Sequence, residues 1–535
     1  MPTEAYLRKR EKLIKKDRAL RPDTVTSQSL TPDERCADEI LRSMRAAEAE
    51  SVWGLDSKSN HPHGSQQMFP GMEFLTAQET IIGTKVFDII SKMPKGGLLH
   101  AHLGATVRTD VLLKLGLRQP AMHVRIFSAL TPSNLKTVLP QFRLLPQSQR
   151  TRIASITDAQ YVLGSWVPIQ NARNNFDQTL GGPPGFDRWV NGSQMIDPSE
   201  AYRTHNTGAQ IWDRFEKVLD VSWGIIFNLP VFTEYIRELL LSSIDDGISY
   251  VEPRVNFWDK YMRGEDGEEN LPHRVWVQVF ERVVDEVRTQ MHAQGRDDEF
   301  IGARIIYCTL RICEPAELDW FLDDCFALAQ EFPHLIAGFD LVGREDSLKP
   351  LIYYYEPLTR FVERQKETGV HVPFIFHAGE TCGDGSPADL NLYDAILLGT
   401  KRIGHGLSIY KHPSLMEMCK EKGICIEMCP ISNEILRFTG SMPMHPLPAV
   451  LNHGVHVVLC SDDPAVFGNM GLSFDFFQVF MASEVAGVAT LRSFVWDSIT
   501  FSSLDDTEKE EAYEKLERRW ALFVRYIIDT YESTV

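Results

Sequence analysis

Four short segments place imidazoles and carboxylates directly after apolar runs: His100–Ala101–His102, His377–Ala378–Gly379–Glu380, Gly404–His405–Gly406 and Ser461–Asp462–Asp463–Pro464. His100 and His102 are two residues apart, so on an extended strand both side chains project to the same side. Two neighbouring imidazoles facing a protein interior need partners, and a metal ion satisfies both. One H-x-H alone, or His377 alone, reads better as ordinary buried histidine with its own hydrogen bond. Asp462 closes the very apolar run VHVVLC (455–460), where a carboxylate also needs a partner. Taken together, His100, His102, His377 and Asp462 form a zinc set with room for a water. Zinc would bring the pKa of that water to about 7, supplying hydroxide at neutral pH. Attack on an electrophilic carbon also requires proton transfers. Glu380, three residues beyond His377, is placed for one of them. The glycines flanking His405 allow backbone and ligand to approach closely, or mark a tight turn that happens to hold a histidine.

Residues of this kind must be carried by rigid elements. Eight short apolar runs are visible: 97–104, 248–255, 302–311, 336–343, 372–379, 401–406, 424–430 and 455–461. Most are separated by stretches of helical periodicity, such as LDWFLDDCFALAQEF (318–332) and PSLMEMCKEKG (413–423). Buried strands alternating with helices imply a parallel sheet, and eight such units favour a (β/α)8 barrel with its site at the C-terminal strand ends. The motifs sit at those ends.

A chain of 535 residues suggests three to four domains at roughly 150 residues each, or one barrel with additions. The barrel reading divides it into an N-terminal helical extension, 1–92, and a barrel, 93–535, interrupted after the first strand by an insertion at 105–247. Within the extension, Leu7, Leu13 and Leu20 suggest a helix, 59–67 reads as a loop, and 79–93 has helical spacing. Within the insertion, the Gly-, Pro- and Asn-rich stretch 170–194 reads as surface loop, and 208–244 as two long helices.

Composition is that of a folded globular chain, 43% hydrophobic and 24% charged. The net charge of −18 would repel a phosphate backbone, so nucleic acid is not expected as a partner. No apolar run of about 18 residues is present, so no membrane span is expected. The N-terminal segment lacks the apolar core of a secretory signal. Nine cysteines without paired spacing read as free thiols, and a cytoplasmic location is expected.

The ordered set H-x-H, HAGE, GHG and SDDP resembles the adenosine deaminases of the metal-dependent hydrolase superfamily. The resemblance is closest to the adenosine deaminase-related growth factor branch, through MPKGGLLHAH (93–102), WDRFEKV (212–218), GFDLVGRED (338–346), FIFHAGET (374–381), RIGHG (402–406), MCPISN (428–433) and SDDPAVFG (461–468). It implies one Zn²⁺ on His100, His102, His377 and Asp462. It implies that Glu380 protonates purine N1, that His405 orients and deprotonates the attacking water, and that Asp463 binds N7 and helps position that water. The Gly343 N–H would meet N3, and Trp212 and Glu216 would contact the nucleoside. An amphipathic helix, with Trp212 in its core and Glu216 on its solvated face, is the plainer alternative for that pair. The implied reaction is hydrolytic deamination of adenosine or 2′-deoxyadenosine. The implied assembly is a homodimer built with helices before the barrel.

The pattern breaks on the sugar side. The aspartate usual just after H-x-H is replaced by Leu103–Gly104–Ala105, and Arg344 stands beside Gly343. Arginine binds phosphate bidentately, although pairing of Arg344 with Glu345, Asp346 or other surface acids is the simpler expectation. Deamination of another aminopurine, such as AMP, adenine or an N6-modified adenosine, is therefore the alternative. A weakly active binding or signalling protein on the same scaffold is a third.

Overall fold

The eight apolar runs form eight parallel strands: β1 (Gly96–His102), β2 (Ile248–Asn256), β3 (Ile305–Leu310), β4 (Ile336–Val342), β5 (Ile375–Ala378), β6 (Arg402–His405), β7 (Cys425–Met428) and β8 (Val457–Leu459). The computed structural model describes residues 2–54 and 68–532, so the loop expected at 59–67 lies outside the described residues. Strands β1 to β4 pair in chain order in one sheet, and β5 to β8 in a second. Single parallel bridges join the two sheets at both seams. Phe339 of β4 meets Phe374 just before β5, and Ala101 of β1 meets Asp462 just after β8. The strands thus follow one another round a ring and are buried almost throughout. Helices such as Pro315–Glu331, Tyr355–Thr368 and Pro413–Lys422 lie between them. This is the alternation a parallel sheet with covered faces requires.

Among the described residues, five helices precede β1: α1 (Glu4–Arg18), α2 (Asp23–Ser29), α3 (Pro32–Ser51), α4 (Phe74–Ile82) and α5 (Lys85–Ser91). The helical spacing at 79–93 covers parts of two helices, because Thr84 caps α5 by accepting from Phe87 N at 3.1 Å. The buried Glu48 carboxylate holds the same start, accepting from Lys85 N at 2.7 Å.

The insertion ends in α6 (Gly208–Ile226) and α7 (Leu229–Asp245), the two long helices expected. Its earlier part corrects the reading of 170–194 as surface loop. Helices span Ile169–Asn174 and Gly182–Gly192, and Phe186, Trp189 and Val190 are buried. The prolines fall in the first turn of the second helix, where a missing N–H costs nothing. Gly181 and Gly182 adopt the positive φ values (100° and 57°) that lead into it.

After β8 come α8 (Val488–Thr500) and α9 (Asp506–Tyr531). The N-terminal helices pack onto them: α2 against α8, and α3 against α9. Glu34 of α3 accepts from Trp520 at 2.9 Å and from Arg492 at 3.0 Å. All nine cysteines are free thiols. No helix among the described residues is long and apolar enough to cross a membrane.

Candidate metal centre and active site

The seam between β8 and β1 builds the centre. His102 N donates to Asp462 O at 2.9 Å, and Asp462 N donates to His100 O at 3.1 Å. This pairing brings the Asp462 carboxylate beside both imidazoles, with Oδ1 3.3 Å from Nε2 of His100 and 3.3 Å from Nε2 of His102. His377 projects from β5 into the same space. One ligand atom each from His100, His102, His377 and Asp462 lies within 4.8 Å of all the others. Nε2 of His100 and Oδ1 of Asp462 are buried without a hydrogen-bond partner among the described residues. Buried polar atoms are seldom left so, and these two face each other inside a three-imidazole, one-carboxylate set that suits zinc. A second grouping, His100, His405, Cys429 and Asp462, shares two members. It suits a metal less well, because burial pushes the Cys429 thiol well above its usual range and the thiolate is the ligand form.

The opposite ring nitrogens are held from beneath. His100 Nδ1 lies 2.8 Å from Glu427 Oε2, and His377 Nδ1 lies 2.6 Å from Asp340 Oδ2. Arg254 donates to both carboxylates, at 2.7 Å to Glu427 and 2.8 Å to Asp340. Arg402 in turn bridges Glu427 and Glu252. Glu252, Arg254, Asp340, Arg402 and Glu427 are all buried. They project inward from β2, β4, β6 and β7, and their charges are closely paired, as burial of ions demands.

Glu380 and His405 complete the mouth. The Glu345 carboxylate accepts from the N–H groups of Gly379 (3.2 Å) and Glu380 (2.9 Å), fixing the turn after β5. Glu380 Oε1 then lies 3.6 Å from His405 Nε2, which is 3.9 Å from Asp462 Oδ1. His405 and Asp462 both adopt φ of 59°, in the left-handed region that β-carbon-bearing residues avoid. Such strain costs about 1–3 kcal/mol per residue and gathers at functional sites. A β-carbon on Gly404 would come within 2.9 Å of the His100 ring, so only glycine lets β6 pass beneath it.

Burial lowers the pKa of His102, that of His377 to about 3, and that of His405 well below the ordinary range. Neutral rings are the form that binds a metal. Burial also opposes charge on Asp462, but the adjacent His405, His100 and His102 hold its carboxyl well below the usual range. Glu380 and Asp463 go the other way. Burial first, and the Asp462 charge next, push both carboxyls well above theirs. The site thus sets two carboxyls whose protonated forms are favoured beside one whose ionised form is favoured.

The other expected site residues are placed less uniformly. Asp463 is buried beside Asp462, with Oδ1 unpartnered among the described residues. Gly343 ends β4 with φ of 108°, and a β-carbon there would meet Leu348 at 2.8 Å. Trp212 is buried against Phe215, which stacks on Phe467 just beyond Asp463, and its indole N–H has no partner among the described residues. Glu216 is exposed one turn further along α6, within electrostatic range of Arg344. The simpler expectation for Arg344 is not met by its neighbours in sequence. Glu345 is bound to the Glu380 turn, Asn391 and Arg311, and Asp346 accepts from Thr381. The buried Nε of Arg344 has no partner among the described residues.

Residues 194–519 match the profile of the adenosine deaminase family. The chain belongs to that family. The adenosine deaminase 2-A of Danio rerio is 33% identical over 472 residues, 88% of this chain and 87% of that one. Adenosine deaminase 2 of Homo sapiens is 31% identical over 460 residues, 85% of this chain and 83% of that one. The N6-methyl-AMP deaminase of Arabidopsis thaliana shares the fold at a TM-score of 0.52 and 15% identity, covering 81% of this chain and 98% of that one. This deaminase is therefore an aminohydrolase by family, on a parallel α/β scaffold with added N-terminal helices.

The motif reading missed the supports of this deaminase centre: Arg254, Asp340, Arg402 and Glu427 under the ligands, and Ser432, Asn433 and His445 beside them. Ser432 donates to Asp462 Oδ2 at 2.7 Å. The signal for the first group was present as charged residues inside strands that otherwise read as wholly apolar.

Proposed function

We propose that the chain deaminates an adenine nucleoside hydrolytically, converting adenosine or 2′-deoxyadenosine with water to the 6-oxo nucleoside and ammonia. The observation that carries this reading is the pair of buried carboxyls, Glu380 and Asp463, beside the buried His/His/His/Asp cluster, where burial favours their protonated forms. Adenine presents acceptors at N1 and N7 flanking C6, and two neutral acids match them as donors. Glu380 gives its proton to N1, which draws electron density from C6 and opens it to attack. Asp463 holds N7. His405 orients the attacking water and takes its proton, which then goes to the departing amino group so that ammonia leaves. His100, His102, His377 and Asp462 would hold Zn²⁺. When bound, the ion is a Lewis acid that makes water acidic near neutral pH. The Gly343 N–H serves N3. Trp212 and Glu216, on the insertion, would contact the nucleoside, and the interior position of the indole limits Trp212 to its unpartnered N–H.

A second reading is favoured by one observation. Arg344 has an unpartnered buried nitrogen beside Gly343, while the turn after β1 offers no carboxylate at Leu103–Gly104–Ala105. A 5′-phosphate suits a free guanidinium, and an AMP-type substrate would then be preferred. The test for both is kcat/KM on adenosine, 2′-deoxyadenosine, AMP, N6-methyl-AMP and adenine, for the zinc-loaded wild type, Glu380→Gln and Arg344→Ala. Nucleoside turnover that Glu380→Gln abolishes, with its metal retained, is expected. An AMP preference lost in Arg344→Ala would establish the second reading. No change in any ultraviolet spectrum would refute deamination and leave a binding protein.

A further inference from the structure

We infer that Arg311 and Glu345 are positioning residues that tie the two groups gripping the pyrimidine edge of the substrate into one rigid unit. Those groups are the Glu380 carboxyl, which serves N1, and the Gly343 N–H, which serves N3. The inference rests on the deaminase reading of the site. Arg311 directly follows β3 and is fully buried. Its backbone N–H donates to Val342 O at 2.9 Å and its Nη2 to Leu341 O at 2.6 Å, so it holds the two residues before Gly343. Its carbonyl accepts from Lys349 N at 3.2 Å, on the far side of the loop that Gly343 opens. The same Nη2 donates to His377 O at 2.9 Å, near the end of β5. One residue therefore braces the ends of β3, β4 and β5.

Glu345 closes the other side. It lies in that loop, two residues beyond Gly343, and is buried. Its carboxylate accepts from Gly379 N at 3.2 Å, from Glu380 N at 2.9 Å and from Asn391 Nδ2 at 2.6 Å. Arg311 Nη1 lies 3.5 Å from Oε2 as an ion pair. Thr381, next to Glu380, donates to Asp346, next to Glu345. The loop carrying Gly343 is thus fastened to the turn carrying Glu380 through both Arg311 and Glu345. A buried ion pair is weak ground for stability, since apolar residues of similar volume often serve a fold as well. Apolar residues could not hold the carbonyls of Leu341 and His377 and the N–H groups of Gly379 and Glu380 in one register. N1 and N3 lie on one six-membered ring. Both donors engage it only if the separation between Gly343 and Glu380 is set before the substrate arrives.

The test is the binding of two nucleosides that each lack one acceptor. 1-Deazaadenosine keeps N3 for Gly343, and 3-deazaadenosine keeps N1 for Glu380. Dissociation constants are measured on the metal-loaded full chain for the wild type, Glu345→Ala and Arg311→Lys, where lysine keeps the charge but not the planar fork. Both analogues should bind about 10-fold more weakly in each variant, because each loses the one ring hydrogen bond left to it. On adenosine, kcat should fall about 10²-fold, as for a displaced reacting group, with bound zinc unchanged. A loss confined to 3-deazaadenosine would mean that the pair holds Glu380 alone, and one confined to 1-deazaadenosine that it holds Gly343 alone. Either overturns the inference. So would unchanged dissociation constants with fewer sites per chain, the mark of a role in folding only, and so would loss of zinc, which would place Arg311 in the service of His377. Where Glu345→Ala does not fold, Glu345→Gln, of the same size with an amide nitrogen in place of one acceptor, takes its place. A wild type that binds both analogues but turns over no adenine compound would remove the deaminase reading, while the two dissociation constants would still decide the pair. A wild type that binds neither would overturn both.

Discussion

A metal-binding imidazole is only as good a ligand as the group on its far nitrogen. His100 and His377 come from strands on different sheets, yet their Nδ1 atoms reach carboxylates that share one guanidinium, Arg254. That arginine orients two ligands at once and keeps Glu427 and Asp340 ionised against burial. Replacing it by Met leaves the buried Asp340 without a guanidinium and Glu427 with Arg402 alone. Loss of such an outer partner costs about 10–100-fold in metal affinity, and breaking a buried pair costs about 3–5 kcal/mol of stability. Arg254→Met should therefore lose zinc to a chelator far sooner than the wild type and melt at a lower temperature. Unchanged zinc retention would mean that each histidine is held independently. The ligands themselves were legible in the sequence because each follows an apolar run and stands in a distinctive short motif. Arg254 was not, because nothing in VEPRV tells which way its charge faces until β2 is placed opposite β4 and β7.

At the scale of elements, the strands were legible because burial on both faces makes each a short, continuous apolar run. The closing of the ring was not, since each seam is a single bridge, outside any pattern of periodicity. The stretch at 170–194 misled because its Gly, Pro and Asn content outweighed the spacing of Phe186, Trp189 and Val190, which only packing reveals as a buried face. The contact between α4 and the helix Pro430–Ile435 was equally hidden. There Glu434 accepts from Phe74 N at 3.1 Å and from the Tyr202 hydroxyl at 2.9 Å, and burial pushes its carboxyl up to about 8. The folded protein thus keeps a proton that the unfolded chain releases near pH 4.3. Between that pH and about 8 the folded state binds more protons, so stability falls as pH rises through this window. Glu434→Gln has no such proton to lose. Its melting temperature relative to the wild type should climb from pH 5 to pH 8. A constant difference across that range would show that Glu434 is already ionised in the fold.

The whole molecule carries −18, but the charge is unevenly spread. Helix α1 has seven Lys and Arg against three Asp and Glu, and it buries none of its residues. Tyr6 and Leu13 lie on one side of it, at 59% and 68% exposure, with Leu7 and Ile14 alongside. A cationic helix with an open apolar stripe, on an otherwise acidic body, is complementary in charge to a second copy of that body. On these grounds a homodimer through the segment before β1 remains a proposal. Leu13→Glu places a charge in the middle of the stripe without touching the core or the deaminase site. In sedimentation, the wild type is expected at twice the chain mass and Leu13→Glu at the single-chain mass, with melting temperature and kcat/KM unchanged. A dimer that persists in Leu13→Glu would move the interface away from α1, and a monomeric wild type would remove it.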